Sequence, residues 1–421
     1  MATSACPRCF TRFSADALQY AFLCTNPDCQ QMPDQTDPAG EKGVDKIASQ
    51  YYGATVPERP FYTDDPKKRS AGFVCAKCHT GSHLVEACPV CHCRFPLPDW
   101  RNYAVTTVAM AGAKTSGKSV YLAVMIHELM QYVKTELKSD MVDAADADPG
   151  LGNLGTKKRY ENYYQKSLYE ARQMMEGTKE ADSEQRESLV YDLGSINGKR
   201  RALVLRDVAG EALERAQTDP PLDRWAFFSR ADGVLFLYDT EREEHIRVYL
   251  EQDFELLPLE ELGMAPDEIL NQVLKLIRSG EPSFGIVLSK FDYIHAVREV
   301  QTETGLRRAV ANIGAAFNRD PGIDAYPRVV DGQYVSPTGQ EWLLLWCELY
   351  SLLAQVGADA LYDRIETQYP AIKPWLFAVS SLGEPVVDKK VSVRGITPFR
   401  VLDPILWILT NAWASGGDGH E

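Results

Sequence analysis

Val105-Thr-Thr-Val-Ala-Met-Ala-Gly112-Ala-Lys-Thr-Ser-Gly117-Lys118-Ser119-Val120 is the stretch whose reading decides the fold. Its first part is an apolar run of strand character, predicted over 104–111. Its last part opens into VYLAVMIHEL, predicted as the start of a helix over 120–137. The turn between them matches G-x-x-x-x-G-K-[ST], and a strand before and a helix after are the context that gives this spacing a mechanical meaning. Gly112 and Gly117 permit a tight turn and close backbone approach, so that successive N–H groups and the helix N-terminus face the phosphates of a ligand. Lys118 is placed to reach β- and γ-phosphates and Ser119 to hold Mg²⁺. The predicted phosphate-contact set is Gly112, Ala113, Lys114, Thr115, Ser116, Gly117, Lys118, Ser119 and Val120.

Downstream of this turn, apolar runs at 188–193, 202–206, 234–238, 284–288 and 375–379 alternate with helical patterns at 157–176, 243–256, 266–278 and 340–368. Such alternation implies an α/β fold with a largely parallel sheet. Asn197-Gly198 joins the second and third strands, and this dipeptide is a two-residue hairpin signal, so those two strands are expected to be antiparallel. The third strand ends in Asp207-Val-Ala-Gly210. A carboxylate there faces the phosphate turn and suits Mg²⁺, while Gly210 offers a flexible N–H toward a γ-phosphate. The fifth strand ends in Ser289-Lys290-Phe291-Asp292. One carboxylate accepts both N1–H and N2–H of guanine, which makes Asp292 the base-selecting candidate, alongside Ser289 and Lys290. The sixth strand runs into Ser380-Ser381-Leu382, whose backbone N–H groups are expected near the guanine O6.

Ten cysteines are present, nine of them within the first 93 residues. Cys6-x-x-Cys9 is followed by Cys24-x4-Cys29, and Cys75-x-x-Cys78 by Cys88-x-x-Cys91. Paired thiolates on facing turns make tetrahedral zinc sites, and four thiolates leave no open position, so both sites are expected to be structural. Binding the metal also supplies folding free energy to segments with little core of their own. Spacing alone admits two pairings: two sequential ribbons, or an interleaved arrangement joining Cys6 and Cys9 to the later cysteines. His79, His83, His92 and Cys93 lie close enough to serve as substitute ligands. Cys347, within LLLWCELY, is expected to be an inert core residue.

The chain has 421 residues, 45% of them hydrophobic and 25% charged, with a net charge of −14. This is the composition of an ordinary globular protein, and its acidity argues against wholesale binding to nucleic acid or anionic membrane. Residues 1–100 hold ten Lys and Arg against eleven Asp and Glu, so the cysteine-rich front favours docking a protein over nucleic acid. No segment reaches the roughly 20 apolar residues of a membrane span, and the N-terminus has no signal-peptide pattern, which predicts a cytoplasmic location. The expected organisation is a first zinc ribbon over 1–35, a linker over 36–70, a second ribbon over 71–98, a P-loop domain with helical inserts over 99–415 and a disordered tail over 416–421.

Together these residues resemble the TRAFAC class of P-loop GTPases over roughly 101–410. GAKTSGKS is similar to that class's first motif, DVAG to its third, SKFD to its fourth and VSSLG to its fifth. The zinc-ligand front and the closing segment GITPFRVLDPILW resemble bacterial double-GTPase-type families found in conflict or signalling gene clusters. The resemblance implies a P-loop NTPase fold with a Ras-like mixed sheet, behind two zinc ribbons. It further implies a GTP-hydrolysing switch using GTP/GDP and Mg²⁺, with two Zn²⁺ and a protein partner on the ribbons or helical inserts. A switch threonine is expected before the second strand, with Thr178 chosen and Thr156 the alternative. Three departures bear on catalysis: Ser289 replaces Asn or Thr, Glu211 stands where a water-orienting Gln is usual, and Lys114 replaces Gly. Lys114 is read as an internal cationic stabiliser, with Lys118, as a contact across a nucleotide-dependent dimer, or as a solvent-facing lysine. Three other readings stay open: a nucleotide-dependent assembly module with negligible hydrolysis, a nucleic-acid sensor coupled to the P-loop, and an ATPase.

Overall fold

The structure is a computed structural model. It describes residues 3–14, 20–26, 29, 43–64, 74–75, 77–81, 83–146, 148, 154–173, 187–215, 222–251, 254, 256, 258–259, 262–299, 305–386, 391–392 and 394–415.

A seven-stranded mixed sheet organises the chain. Its strands are β6 (Ala104–Gly112), β7 (Val142–Asp143), β8 (Leu189–Ile196), β9 (Lys199–Asp207), β10 (Gly233–Asp239), β11 (Ser283–Ser289) and β14 (Trp375–Ala378), in the order β14-β11-β10-β6-β9-β8-β7. From β14 to β9 every pairing is parallel, while β8 runs antiparallel to both β9 and β7. Asn197 and Gly198 take φ of 52° and 68°, the left-handed pair that a tight hairpin needs to match the strand twist. β10 is buried along its whole length, as is β6 after Ala104, in keeping with strands covered on both faces. Between β9 and β10 the chain order reverses about β6, and the crevice at the carboxyl ends of these three strands is where α/β sheets receive ligands.

Helices cover both faces. In Pro266–Ile277, Pro266 opens the helix and Ile269, Leu270, Val273, Leu274 and Ile277 form one buried stripe. The C-terminal helix Asp403–Ser415 buries Ile405 to Leu409 on the sheet, with Trp407 against Trp375 and Phe377. Gly233 is bare because Ile408 occupies its side-chain space: a Cβ there would stand 2.4 Å from Ile408 Cδ1.

Several elements differ from the expected ones, each for a local reason. The helix expected over 340–368 is two, Gln340–Val356 and Ala360–Gln368, because Gly357 caps the first at φ 80°. The insert predicted as a helix over 157–176 is a short α-turn, Gly155–Arg159, running into a π-helix, Tyr160–Glu170. Its wider coil still turns Tyr160, Tyr164 and Leu168 inward, and Tyr160 Oη donates to Ala123 O at 3.0 Å. The acidic tract that follows the helix Lys118–Thr135 supplies the edge strand β7. Cys347 is exposed, contrary to the core position expected of it; Trp342, Leu345, Leu349, Leu352 and Leu353 form the buried face of its helix.

A separate hairpin pairs β12 (Arg328–Val330) antiparallel with β13 (Gln333–Val335). Two small sheets build the cysteine-rich front. β1 (Thr3–Ala5) pairs antiparallel with β2 (Arg12–Ser14). β3 (Tyr20–Cys24) pairs antiparallel with both β4 (Phe61–Asp64) and β5 (Leu84–Ala87). β4 comes from within the stretch 36–70, as does the helix Lys46–Tyr52, which Asp45 caps by accepting from Ala48 N–H at 2.8 Å.

Candidate functional site

The eight paired cysteines form two groups of four, and within each group every Sγ lies within 4.8 Å of the others. The grouping is interleaved. Cys6 and Cys9 meet Cys88 and Cys91, with Sγ–Sγ distances of 3.4 Å for Cys6–Cys91 and 3.7 Å for Cys9–Cys88. Cys24 and Cys29 meet Cys75 and Cys78, at 3.7 Å for both Cys24–Cys78 and Cys29–Cys75. Of the two pairings that spacing admits, the structure has the crossed one, since β3 is held between β4 and β5 and carries Cys24 to the later knuckle. An Sγ–Sγ edge of about 3.8 Å follows from tetrahedral coordination with Zn–S near 2.3 Å, so the donor sets fit zinc without rearrangement.

The knuckles share one backbone device. The residue after the second cysteine is left-handed in three of them: Phe10, His79 and His92, at φ of 56°, 56° and 55°. The same turn returns an N–H to the first cysteine's carbonyl, Phe10 to Cys6, His79 to Cys75 and His92 to Cys88. Arg8 N–H and Val90 N–H also point at Cys6 and Cys88 Sγ, each at 3.4 Å, a polarity that favours thiolate. His92, considered as a ligand, instead bonds Asp45 through Nδ1 at 2.7 Å and stacks on Phe61.

The two sites are embedded differently. Cys6, Cys9, Cys88 and Cys91 belong to the same hydrophobic core as the large sheet, with Phe10 edge-on to Phe227 and Trp100 Nε1 donating to Ala5 O at 2.8 Å. Ser188 Oγ donates to Pro7 O at 2.5 Å, Arg206 donates to Arg8 O, and Arg8 pairs with Glu187 at 2.6 Å. Arg230 also donates to Cys9 O at 3.4 Å. A tetrathiolate zinc centre is net negative, and the buried Arg8 and Arg206 supply opposing charge. Cys24, Cys29 and Cys75 form a separate small cluster with Tyr62, Cys78 and Leu84.

The turn after β6 lies in the crevice between β9 and β10. Gly112 and Gly117 sit at φ of 153° and 84°, and a Cβ on Gly112 would come to 2.6 Å of Leu237 O. Lys118 opens the helix Lys118–Thr135 and is buried, donating from Nζ to Gly112 O at 2.7 Å and Ala113 O at 2.9 Å. Burial lowers its pKa to about 8, against the field of Asp207, Glu214 and Asp239. Among the described residues neither carboxylate oxygen of Asp207 has a hydrogen-bond partner, nor has Ser116 Oγ, although all three are inaccessible. Burial also pushes the Asp207 carboxyl up, with Lys118 opposing. Inaccessible donors and acceptors left open in this way are what a phosphate or cation site presents.

The remaining candidates take these positions. Ser289 Oγ donates to Ser116 O at 2.9 Å and to Tyr238 O at 3.1 Å, so it ties the turn to β10. Lys290, at φ 54°, bridges Asp239 at 2.9 Å and Glu241 at 2.8 Å; the two carboxylates hold its pKa up despite burial. Asp292 is buried and accepts Ser380 Oγ–H at 2.7 Å; burial raises its pKa to about 6. Ser380 also accepts Gly383 N–H at 2.8 Å, which shapes the loop carrying Ser381 and Leu382. Gly210 lies flat on the turn, where a Cβ would stand 2.7 Å from Lys114 N. Lys114 Nζ pairs with Glu211 at 2.9 Å, a contact between two sequence departures that no local pattern announces. Thr178 lies outside the described residues; Thr156 Oγ1 accepts Val190 N–H at 3.0 Å and braces β8.

Fold and sites together define an α/β protein with two four-cysteine groups and a strand–turn–helix crevice at the reversal point of its sheet. No protein-family model matches the chain. Over 420 residues it is 34% identical to SaeC of Mycolicibacterium smegmatis, whose name describes an ESX-1 scaffolding and assembly protein. The match covers 96% of this chain and 98% of the relative, and the chain belongs to that protein's family.

This membership corrects the GTPase reading: the relative is named for scaffolding and assembly, which overturns the expected GTP-hydrolysing switch, the enzyme assignment and the TRAFAC assignment. The physical reason lies in what the motif encodes. A G-x-x-x-x-G-K-[ST] turn specifies phosphate chemistry, and hydrolysis further needs a group that orients water. Glu211, at the place expected for that group, is held by Lys114. Among the described residues no helix is long and apolar enough to cross a membrane.

Proposed function

We propose that this chain is a cytoplasmic scaffold in the assembly of an ESX-1 system, and that its zinc centres and polyphosphate crevice serve protein docking rather than turnover. The observation that carries the reading is similarity over nearly the whole of both chains to a protein named for that role. Closed four-thiolate sites support it, because they leave no coordination position for a substrate.

In this reading Cys6, Cys9, Cys88 and Cys91 hold one Zn²⁺, and Cys24, Cys29, Cys75 and Cys78 hold the other. The turn 112–120 takes a Mg²⁺-bound polyphosphate, with Lys118 on its oxygens and Ser119 and Asp207 on the metal; the open oxygens of Asp207 support this assignment. Asp292 and the loop 380–382 flank whatever base or other group the polyphosphate carries. The cysteine-rich front, with the first zinc site packed into the sheet's core, is the surface offered to protein partners.

The test is quantitative crosslinking in the cells that make the protein. A tagged chain expressed at its natural level is expected to recover ESX-1 components well above a tagged control. Deleting the gene is expected to lower their assembly, with restoration by the wild-type chain. Absence of enrichment together with unchanged assembly in the deletion would overturn the reading. Metal analysis of the purified chain is expected to give two Zn²⁺ per chain.

A further inference from the structure

The mouth of the turn 112–119 already carries anions of its own. Lys114 Nζ meets Glu211 Oε1 at 2.9 Å, and Glu214 adds its negative field at both Lys114 and Lys118. Both carboxylates belong to the helix Gly210–Arg215, whose first residue is seated on the turn: a Cβ at Gly210 would come to 2.7 Å of Lys114 N and 3.0 Å of Gly112 O. Glu214 also accepts Met264 N–H at 3.3 Å. Arg242 donates to the carbonyls of Leu262, Gly263 and Met264 at 2.9, 3.0 and 2.8 Å, and reaches Lys114 O at 3.4 Å. Turn, helix and the segment 262–264 therefore form one hydrogen-bonded unit around the crevice.

We infer that Glu211 is an internal stand-in for the terminal phosphate of the ligand. It neutralises Lys114 while the turn is empty, and a polyphosphate long enough to reach Lys114 displaces it and loosens helix Gly210–Arg215 from segment 262–264. The inference rests on the phosphate-site reading proposed above. It gives that site a length requirement: two phosphates sit within the turn and on Lys118, whereas the third competes with Glu211. It also gives occupancy a mechanical output, since the helix that moves is bonded to a second segment outside the crevice.

The experiment uses the full chain as wild type, Glu211→Gln and Lys118→Ala, titrated calorimetrically with Mg²⁺-tripolyphosphate and Mg²⁺-pyrophosphate. Glu211→Gln keeps size and shape while removing the charge. It is expected to bind tripolyphosphate about three- to tenfold more tightly than wild type, the range set by one exposed ion pair and one removed like charge. Pyrophosphate affinity is expected to change by less than about twofold, because that ligand does not reach the pair. Hydrogen exchange at 210–215 and 262–264 is expected to rise when wild type binds tripolyphosphate. Equal tripolyphosphate affinity in wild type and Glu211→Gln, or equal gains for both ligands, overturns the latch. Lys118→Ala reports on the site itself: loss of binding upholds it, whereas unchanged binding, or no binding by any of the three chains, refutes the site and the latch with it.

Discussion

Removing one zinc site should unravel the sheet domain, while removing the other should not. The comparison is Cys88→Ser against Cys75→Ser, isosteric changes that each delete one of four ligands. Viewed only as cross-links the sites are similar. Cys6–Cys91 and Cys9–Cys88 join residues 85 and 79 apart, and Cys24–Cys78 and Cys29–Cys75 join residues 54 and 46 apart. Loop-closure entropy makes such links worth about 4 to 5 kcal/mol each, with little difference between them. The packing differs. Freeing the first site also frees Phe10 from Phe227 and Phe13 from Phe95, and loss of a buried aromatic contact set costs about 3 to 5 kcal/mol. It further leaves Arg206 buried beside a lost anionic centre, with a penalty of about 3 to 5 kcal/mol for an uncompensated charge, while Arg8 keeps Glu187. The sum matches or exceeds the roughly 5 to 15 kcal/mol that holds a domain folded. Among the described residues the second site packs into a small cluster separate from the core of the large sheet. Thermal unfolding followed by near-ultraviolet circular dichroism, with zinc counted by a metallochromic indicator, tests this. Cys88→Ser is expected to lose one zinc and to lower the main transition by more than about 10 °C, or to be insoluble. Cys75→Ser is expected to lose one zinc and shift that transition by no more than a few degrees. Equal shifts, or a main transition untouched by Cys88→Ser, would refute the reasoning.

Other expectations are narrower. Asp292, normally titrating near 3.8, is raised by burial to about 6 in the folded chain. The folded state thus binds the extra proton between those values, and stability falls as pH rises through that window, by about 3 kcal/mol in all. Asp292→Asn is accordingly expected to raise the melting temperature at pH 7.5 and to do nothing at pH 4; a gain that persists at pH 4 would count against burial as the cause. Lys118 falls from 10.5 to about 8, again through burial, so its charge costs stability below pH 8 and the cost fades as pH climbs to 10.5. Lys118→Met is expected to stabilise the ligand-free chain at pH 7 by up to about 3 kcal/mol and to abolish polyphosphate binding, as read by denaturant titration and calorimetry. Gly233→Ala drives a Cβ into Ile408 and is expected to cost about 1 to 3 kcal/mol, with a chevron or equilibrium urea curve as the readout.

Much of the architecture was legible in the sequence because its signals are local. A strand, two glycines, a lysine and a helix in 30 residues define the turn at 112–119 whatever surrounds them, and Asn197-Gly198 fixes an antiparallel pair through its own backbone preference. The function was less legible, for a physical reason. Phosphate binding is written in a contiguous motif, whereas turnover depends on side chains brought in from elsewhere, and Glu211 on Lys114 cannot be seen from either residue's neighbours.

The sequence by itself determined which eight cysteines come together, where the chain makes its glycine-rich turn between strand and helix and that one strand opposes the rest. Only the tertiary structure decided which cysteines share a centre, because spacing admits either pairing of the knuckles and the choice is made by β3 lying between β4 and β5. It likewise decided that the first centre belongs to the core of the large sheet, through contacts between residues up to 221 positions apart, such as Arg230 with Cys9. Local preference has no access to such distances; burial and the need to pair every buried polar group do.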